Sequence, residues 1–349
     1  MHTDKQHVPH KNTLVCMATE NVKGLVNTVF THTDKEKAVL VYDENCMLSV
    51  VLSEAYKNVL PDAVTIDFNE VESEEILNVF SELEPFDFVV LVQSRSFRLD
   101  AFRMRVELFK KKIKVLEHPH LSRMKDEEIP VYIDSLNYDE KYYRGIGRAL
   151  KKKVDNAQGG VLDSGGEILT YGGAFESAKL NIGDYSDMPN TGGQFPIGEV
   201  FTEAKELTAL NGRVNIFCFG DVNYKVNRPE KPITLIIKNG QVSDVENSTP
   251  AFDQILFNIR RDEGDVVWVR ELGFGLNRAF SKTRIVADTG SYERMCGIHV
   301  SLGAKHGIYG KPGFKRRDGR YHVDVFADTK TFTLDEEVVF ENNRWNLSL

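Results

Sequence analysis

The sequence predicts two domains, an N-terminal doubly wound α/β domain and a C-terminal α+β domain that is largely antiparallel β. A length of 349 residues exceeds one typical domain, so two hydrophobic cores are expected. Strands and amphipathic helices alternate in the first half, whereas short β-rich segments separated by glycines follow in the second. A charged helical stretch, 138–154, separates the two textures, which gives domains of 1–150 and 151–349.

The N-terminal elements follow from hydrophobic periodicity. Apolar runs of strand length occur at 38–42, 64–68, 88–92 and 113–117. Apolar residues at helical spacing between them predict helices at 47–59, 74–83 and 100–112. Strands that alternate with helices are joined by right-handed crossovers, so we expect a parallel sheet with helices on both faces.

The C-terminal half has the sequence character of an antiparallel sheet. Its apolar segments are rich in Val, Ile, Phe and Thr and are bounded by glycine turns. Asn239–Gly240 predicts a hairpin, since Asn-Gly suits a type I′ turn. A helix is predicted at 249–261, where Phe252, Ile255 and Ile259 recur at helical spacing.

Composition excludes several classes of function. The 52 acidic side chains outnumber the 44 basic ones, and this net charge of −8 argues against nucleic acid as the main partner. The four cysteines lack paired short spacing, so neither a disulfide framework nor a thiolate zinc site is expected. The polar N-terminus is unlike a signal peptide, and no apolar run approaches the roughly 18 residues of a membrane helix. We therefore expect a cytoplasmic protein without a membrane partner.

The N-terminal half carries no recognised phosphate-binding loop. Neither GxGxxG nor GxxxxGK[ST] follows any predicted strand, so nucleotide binding is not predicted. His118 and His120 lie at the carboxyl end of the fourth strand, where open α/β sheets bind ligands. Two histidines at this spacing could hold a metal, although such a pair more often belongs to a connecting loop.

Five acidic or histidine side chains of the second half lie in apolar or glycine-rich surroundings. They occur in the segments GEVFT, ELGFGLN, GIHVSLG and YHVDVF, and are Glu199, Glu271, His299, His322 and Asp324. His322 and Asp324 are two residues apart on a predicted strand, so they project from one face and can share a divalent metal. The other three supply enough ligands for a second metal, and paired metals activate water and polarise a carbonyl group.

Each of these side chains also has a structural interpretation. His299 could be a hydrogen-bonded core histidine, and Glu199 could cap a turn. Glu271 follows Arg270 and could form an ion pair with it. Spacing along the sequence does not show whether the four segments converge.

The four segments occur in the same order as the metal-site segments of the aminopeptidase T/aminopeptidase S family of two-metal metallopeptidases. The sequence resembles that family from about residue 160 to 349, and GEVFT is the most specific match. The resemblance implies a homodimeric metallo-aminopeptidase that acts on a small peptide or amide with two divalent ions (zinc, cobalt or manganese). The implied metal ligands are Glu199, Glu271, His299, His322 and Asp324.

One position departs from the family pattern. The family has a catalytic-site tyrosine seven residues after the first histidine, and His306 stands there in this chain. Tyr309 follows three residues later. We expect His306 or Tyr309 to stabilise the oxyanion that develops during hydrolysis.

A second family offers an alternative function. The dihydroxypyridine ring-cleaving dioxygenases, which the chain resembles in length and fold, use one Fe(II) held by two histidines and an aspartate. That family lacks the glutamate of the GE segment and has histidine at the position of Glu271. Retention of Glu199 and Glu271 favours the hydrolase over the dioxygenase. A metal-binding relative without turnover is the third hypothesis.

Overall fold

The computed structural model describes residues 9–99, 104–186, 188, 190–311, 314 and 319–348. The chain forms two compact units, one of Met1–Glu140 with Gly183–Ile197 and one of Lys141–Ile182 with Gly198–Leu349. The sequence pattern predicts a boundary near residue 150, with all later residues in the second domain. The structure differs because the segment 183–197 returns to the first unit, where it adds a strand.

Helices and strands are numbered in chain order over the described residues. The helices are α1 (Lys11–Gly24), α2 (Met47–Val59), α3 (Ser73–Ser81), α4 (Met104–Lys110), α5 (Ile129–Ser135), α6 (Glu140–Asn156), α7 (Pro250–Glu263) and α8 (Thr289–Tyr292). The strands are β1 (Ala38–Tyr42), β2 (Val64–Asp67), β3 (Phe88–Val92), β4 (Lys114–His118), β5 (Gly160–Asp163), β6 (Ile168–Tyr171), β7 (Lys179–Asn181), β8 (Gly192–Gln194), β9 (Glu199–Glu203), β10 (Leu210–Gly220), β11 (Val226–Asn227), β12 (Ile233–Lys238), β13 (Gln241–Glu246), β14 (Val269–Gly275), β15 (Gly297–Leu302), β16 (Val323–Ala327), β17 (Thr331–Leu334), β18 (Glu337–Glu341) and β19 (Arg344–Trp345).

The first unit contains the predicted parallel sheet, with strand order β2-β1-β3-β4-β8. Every neighbouring pair in it is parallel. Alternate residues of β1, β3 and β4 form one buried cluster with the apolar faces of α3 and α4. Helix α2 packs on β1 and β3 without joining that cluster, so helices cover both faces of the sheet.

Strand β8, helix α1 and helix α5 of this unit were not predicted. Strand β8 has the sequence Gly-Gly-Gln and lies so close to β4 that a Cβ on Gly192 would be 1.9 Å from the carbonyl oxygen of Val115. Helix α1 begins at the end of the polar N-terminal stretch, in a segment for which no element was predicted. Its buried residues are Leu14, Ala18 and Val22, which recur every four positions and face α2 and α5.

The second unit is built on a large antiparallel sheet. Its main path is β19-β18-β17-β5-β6-β10-β16-β15-β14-β9-β7, and the hairpin β12–β13 also pairs with β10. Asn239 and Gly240 both have positive φ angles (51° and 74°), as a type I′ turn requires, so the predicted hairpin is confirmed. The predicted helix is α7, and the Thr249 side chain caps it by accepting the Phe252 N–H.

Four adjacent strands of this sheet, β16-β15-β14-β9, carry or adjoin all four metal-site segments. Segments more than 100 residues apart in the chain therefore lie side by side. Within the described ranges, no helix combines the length and apolar character needed to cross a bilayer.

Candidate metal centre

The register of the four strands brings the predicted ligands together. Glu199 on β9 is paired with the end of β14, and Glu271 lies on β14 itself. His299 on β15 lies between β14 and β16, and Asp324 is on β16. His322 immediately precedes β16. All except His322 are buried, so these polar side chains belong to the interior of the unit.

The first group of candidate ligands consists of Glu199, Glu271 and His299. The Nε2 atom of His299 lies 3.3 Å from Oε1 of Glu199 and 3.7 Å from Oε1 of Glu271. The imidazole lies directly over Gly273 of the neighbouring strand, where a Cβ would be 2.1 Å from its Cε1 and Nε2 atoms. The glycine of the ELGFGLN segment therefore provides the space that the ring occupies.

The second group consists of Glu271, His322 and Asp324. The Nε2 atom of His322 lies 3.1 Å from Oδ1 of Asp324 and 3.8 Å from Oε1 of Glu271. Oε1 of Glu271 thus faces a histidine of each group. In both groups one candidate ligand atom per residue lies within 4.8 Å of the others.

The donor atoms fit a bound cation. Nε2 of His299 and Oδ1 of Asp324 are buried and make no aligned hydrogen bond within the described part of the chain. Buried polar atoms are normally hydrogen-bonded, so unsatisfied atoms that converge need another partner. Imidazole and carboxylate groups are suitable ligands for zinc, cobalt, manganese and iron.

The charge balance of the cluster also favours a cation. Burial alone would lower the pKa of His322, but the carboxylates of Asp324 and Glu271 outweigh it and raise this pKa to about 10. Burial alone would raise the pKa of Glu271, but the neighbouring imidazoles of His299 and His306 and the positive charge of His322 lower it. The carboxylates of Glu271 and Asp324 are therefore ionised at neutral pH and favour the protonated forms of His299 and His322. A divalent ion would bind here by displacing protons.

Hydrogen bonds to the main chain make Nδ1 a donor in His322 and an acceptor in His306. Nδ1 of His322 lies 3.2 Å from the carbonyl oxygen of Lys305, which can only accept, so Nδ1–H donates and Nε2 is left to face the carboxylates. This is the usual arrangement of a metal-ligating histidine. In contrast, Nδ1 of His306 accepts the Ile308 N–H at 3.3 Å. The proton of His306 is therefore on Nε2, 3.2 Å from Oε2 of Glu271.

The hydroxyl group of Tyr309 has a different environment from that of His306. It donates to the carbonyl oxygen of Ser177 at 2.7 Å, and the Phe201 carbonyl lies 3.4 Å away. Because a phenol has one proton, this hydroxyl tethers the loop to the segment that precedes β7. The ring packs beside that of His306 with 5.0 Å between ring centroids and an interplanar angle of 54°. The structure thus brings His306, and not the Tyr309 hydroxyl proton, to the carboxylates.

Two charged residues outside the predicted ligand set, Glu263 and Arg270, hold the loop between β15 and β16. The Glu263 carboxylate at the end of α7 accepts the Ala304 N–H at 2.7 Å and the Arg320 and Tyr321 N–H groups at 2.5 and 2.8 Å. It therefore holds both ends of the loop that carries His306 and leads to His322.

Arg270 is the second of these residues. It forms a buried ion pair with Glu203 and donates to the carbonyl oxygens of Ala304 and Tyr309. The ion pair between Arg270 and Glu271 considered from the sequence is therefore not formed. The partner of Arg270 is Glu203, which lies opposite Glu271 in the register of β9 and β14.

The predicted alternative at His118 and His120 does not form a metal site. His118 is fully buried, with its Nε2 atom 2.8 Å from the Tyr56 hydroxyl and its Nδ1 atom 2.9 Å from the Tyr132 hydroxyl. Burial lowers the pKa of His118 to about 3, so the ring is neutral. Both nitrogens are occupied by phenols, while His120 contacts Ser96. The pair is part of the core and a loop.

Comparison with known proteins identifies the fold and no sequence family. No family model matches the chain, and no curated protein sequence matches it. Among solved structures, the chain is similar to 2,5-dihydroxypyridine dioxygenase from Pseudomonas putida, with a TM-score of 0.59 and 13% identity over 97% of this chain and 98% of that one. It is also similar to wild-type AmpT from Thermus thermophilus, with a TM-score of 0.58 and 11% identity over 95% of this chain and 99% of that one. The chain therefore has the fold that these two distant proteins share.

Proposed function

We propose that the protein is a metal-dependent hydrolase, an aminopeptidase that releases the N-terminal residue of a small peptide or amide. The observation that carries this proposal is the burial of two glutamates, Glu199 and Glu271, in one cluster with His299, His322 and Asp324. Oε1 of Glu271 faces His299 in one group and His322 in the other, so the two groups have this oxygen in common. The five side chains therefore suit two divalent ions, with zinc, cobalt or manganese as candidates. The similarity of fold to AmpT supports the same class.

Bound metal ions would supply Lewis acidity and a water activated at neutral pH. The chain's own contribution beyond the ligands centres on His306. Its Nε2–H group is a donor, because Nδ1 accepts the Ile308 N–H, and it lies beside Glu271. We propose that this donor stabilises the developing oxyanion. Tyr309, Arg270 and Glu263 act as positioning residues that hold the loop of His306.

Metal content and hydrolysis of the full chain test the proposal. The protein is loaded with zinc, cobalt or manganese, analysed for metal per chain, and assayed with a panel of aminoacyl p-nitroanilides and dipeptides. We expect two ions per chain, hydrolysis only of substrates with a free amino terminus, and at least a ~100-fold loss of kcat/KM in Glu271→Gln. Glu246→Gln, which changes an exposed glutamate of the same unit paired with Arg213, is the matched control. Fewer than two ions together with no cleavage would contradict the proposal.

A second candidate function is an Fe(II)-dependent ring-cleaving dioxygenase. The observation in its favour is that His299, His322 and Asp324 alone supply the two histidines and one carboxylate typical of non-haem iron oxygenases. The fold supports it as well as the hydrolase. Anaerobic loading with Fe(II), followed by oxygen uptake with 2,5-dihydroxypyridine, distinguishes the two. Oxygen consumption that depends on this substrate, without peptide cleavage, would replace the hydrolase with the dioxygenase.

A further inference from the structure

A buried arginine contacts only one of the two candidate metal groups. Nη1 of Arg294 lies 2.5 Å from Oε2 of Glu199 and 2.5 Å from Oε1 of Glu293. Its side chain is 10% exposed, so the guanidinium lies inside the unit. Because arginine keeps its proton in proteins, this group is a permanent positive charge. Nothing in the sequence motifs points to this residue.

The two carboxylate oxygens of Glu199 have different neighbours as a result of this contact. Oε2 is bound by the guanidinium, and Oε1 remains 3.3 Å from Nε2 of His299. A metal in the first group would therefore have one oxygen of Glu199 available, next to a fixed positive charge. Bringing a cation up to an arginine in a buried site is electrostatically unfavourable.

The second group has no comparable competitor. Among the described residues, the ion-pair partners of Glu271 and Asp324 are histidines, and no lysine or arginine pairs with either. Histidines give up a proton when a metal arrives, whereas arginine stays charged. The charge of Arg294 also acts on Glu271 and Asp324, but it acts most strongly on Glu199, the candidate ligand with which it pairs directly. A metal in the first group would therefore meet this positive charge at closer range than a metal in the second.

We propose that Arg294 makes the two metal positions unequal. This inference rests on the proposed two-metal function and adds an order of binding to it. The group Glu271–His322–Asp324 takes the first divalent ion, and the group Glu199–Glu271–His299 takes the second at least ~10-fold more weakly. At low metal concentrations the protein holds one ion, so two-metal hydrolysis follows the supply of the second.

Metal binding to the full-length apoprotein tests the proposal without an activity assay. Zn²⁺ and Mn²⁺ are titrated by equilibrium dialysis with elemental analysis, and Mn²⁺ electron paramagnetic resonance distinguishes single ions from coupled pairs. We expect wild-type protein to show isolated Mn²⁺ first and coupled pairs only at higher concentrations. Arg294→Gln should bring the two dissociation constants within about threefold of each other, and Arg294→Lys should keep them apart. Arg213→Gln removes an exposed arginine of the same unit as the matched control and should behave as wild type.

Glu199→Gln assigns the positions and covers the case in which Arg294→Gln does not fold. It should abolish the weaker site and leave the tighter dissociation constant within about threefold of wild type. Two equal sites in wild type, an unchanged ratio in folded Arg294→Gln, or loss of the tighter site in Glu199→Gln would each overturn the inference while the two-metal proposal stands. Absence of any bound metal would remove the proposed function itself.

Discussion

A methyl group added at Gly273 should displace His299 from the candidate metal centre. The alanine Cβ would lie 2.1 Å from Cε1 and Nε2 of the imidazole and 2.8 Å from Cδ2. Non-bonded carbon atoms approach to about 3.5 Å, so the ring must move by about 1.4 Å. The ring is buried and packs against Phe326 with 5.6 Å between centroids, so no free space receives it.

The size of the effect follows from the distances that the shift would change. Nε2 of His299 lies 3.3 Å and 3.7 Å from its two carboxylate neighbours, and a movement of this size removes it from their reach. Overpacking of a buried site costs about 1–3 kcal/mol of unfolding free energy. A reacting or ligating group misplaced by ~1 Å typically costs ~100-fold in function. We therefore expect a moderate loss of stability and a ~100-fold loss of affinity for the ion bound by His299.

Chelator competition with Zn²⁺ measures this affinity, and circular dichroism confirms that the Gly273→Ala protein is folded. Gly307→Ala is the matched control, since a Cβ there meets no atom within 4 Å although it adjoins His306. We expect the control to bind zinc as wild type does. Wild-type affinity in folded Gly273→Ala would refute the assignment of His299 as a ligand.

Three further predictions concern residues that stabilise the two units, His118 in the first and Arg270 and Tyr309 in the second. The pKa of His118 is about 3 in the folded protein and 6.5 in the unfolded chain. Between these two values the unfolded chain binds one more proton than the folded protein, so the free energy of unfolding decreases as the pH is lowered. Urea denaturation should therefore show wild type losing about 2 kcal/mol more than His118→Gln between pH 7 and pH 5, and equal losses would contradict the buried neutral ring. Arg270→Met leaves the Glu203 carboxylate buried without its partner and should lower the unfolding free energy by about 3–5 kcal/mol, whereas an unchanged melting curve would show that the pair is not buried. Tyr309→Phe removes the hydrogen bond to the Ser177 carbonyl and should cost about 1 kcal/mol without changing zinc affinity; a ~100-fold fall in kcat at unchanged stability would instead make the hydroxyl catalytic.

The sequence predicted the elements whose pattern is local. Strands β1 to β4 and helix α7 carry continuous or periodic apolar residues, and the structure has them close to the predicted bounds. Strand β8 was not predicted because Gly-Gly-Gln has no apolar periodicity, and its extended conformation depends on pairing with β4. Helix α1 was not predicted because its buried stripe is only one residue wide at each turn and the rest of the helix has no clear apolar periodicity.

The candidate site divides in the same way. Motifs identified Glu199 and Glu271, but no local pattern could show that β9 pairs with β14, a contact between segments about 70 residues apart. Arg294 and Glu263 act through tertiary contacts alone, so they carry no motif. The different tautomers of His306 and His322 are set by main-chain groups of the folded loop, which a sequence does not reveal.

The Glu263 carboxylate accepts hydrogen bonds from both ends of the loop between β15 and β16. It therefore links the opening of this loop to metal binding at the proposed site. If this carboxylate releases the loop ends, the proposed donor His306 and the proposed ligand His322 would leave the cluster together, so loop opening and release of a bound metal would be one event. Thermodynamic linkage then requires that a bound ion close the loop as strongly as the closed loop retains the ion. Amide exchange at Ala304 and Tyr321, two of the N–H groups bound by Glu263, should therefore slow as the proposed metal site fills.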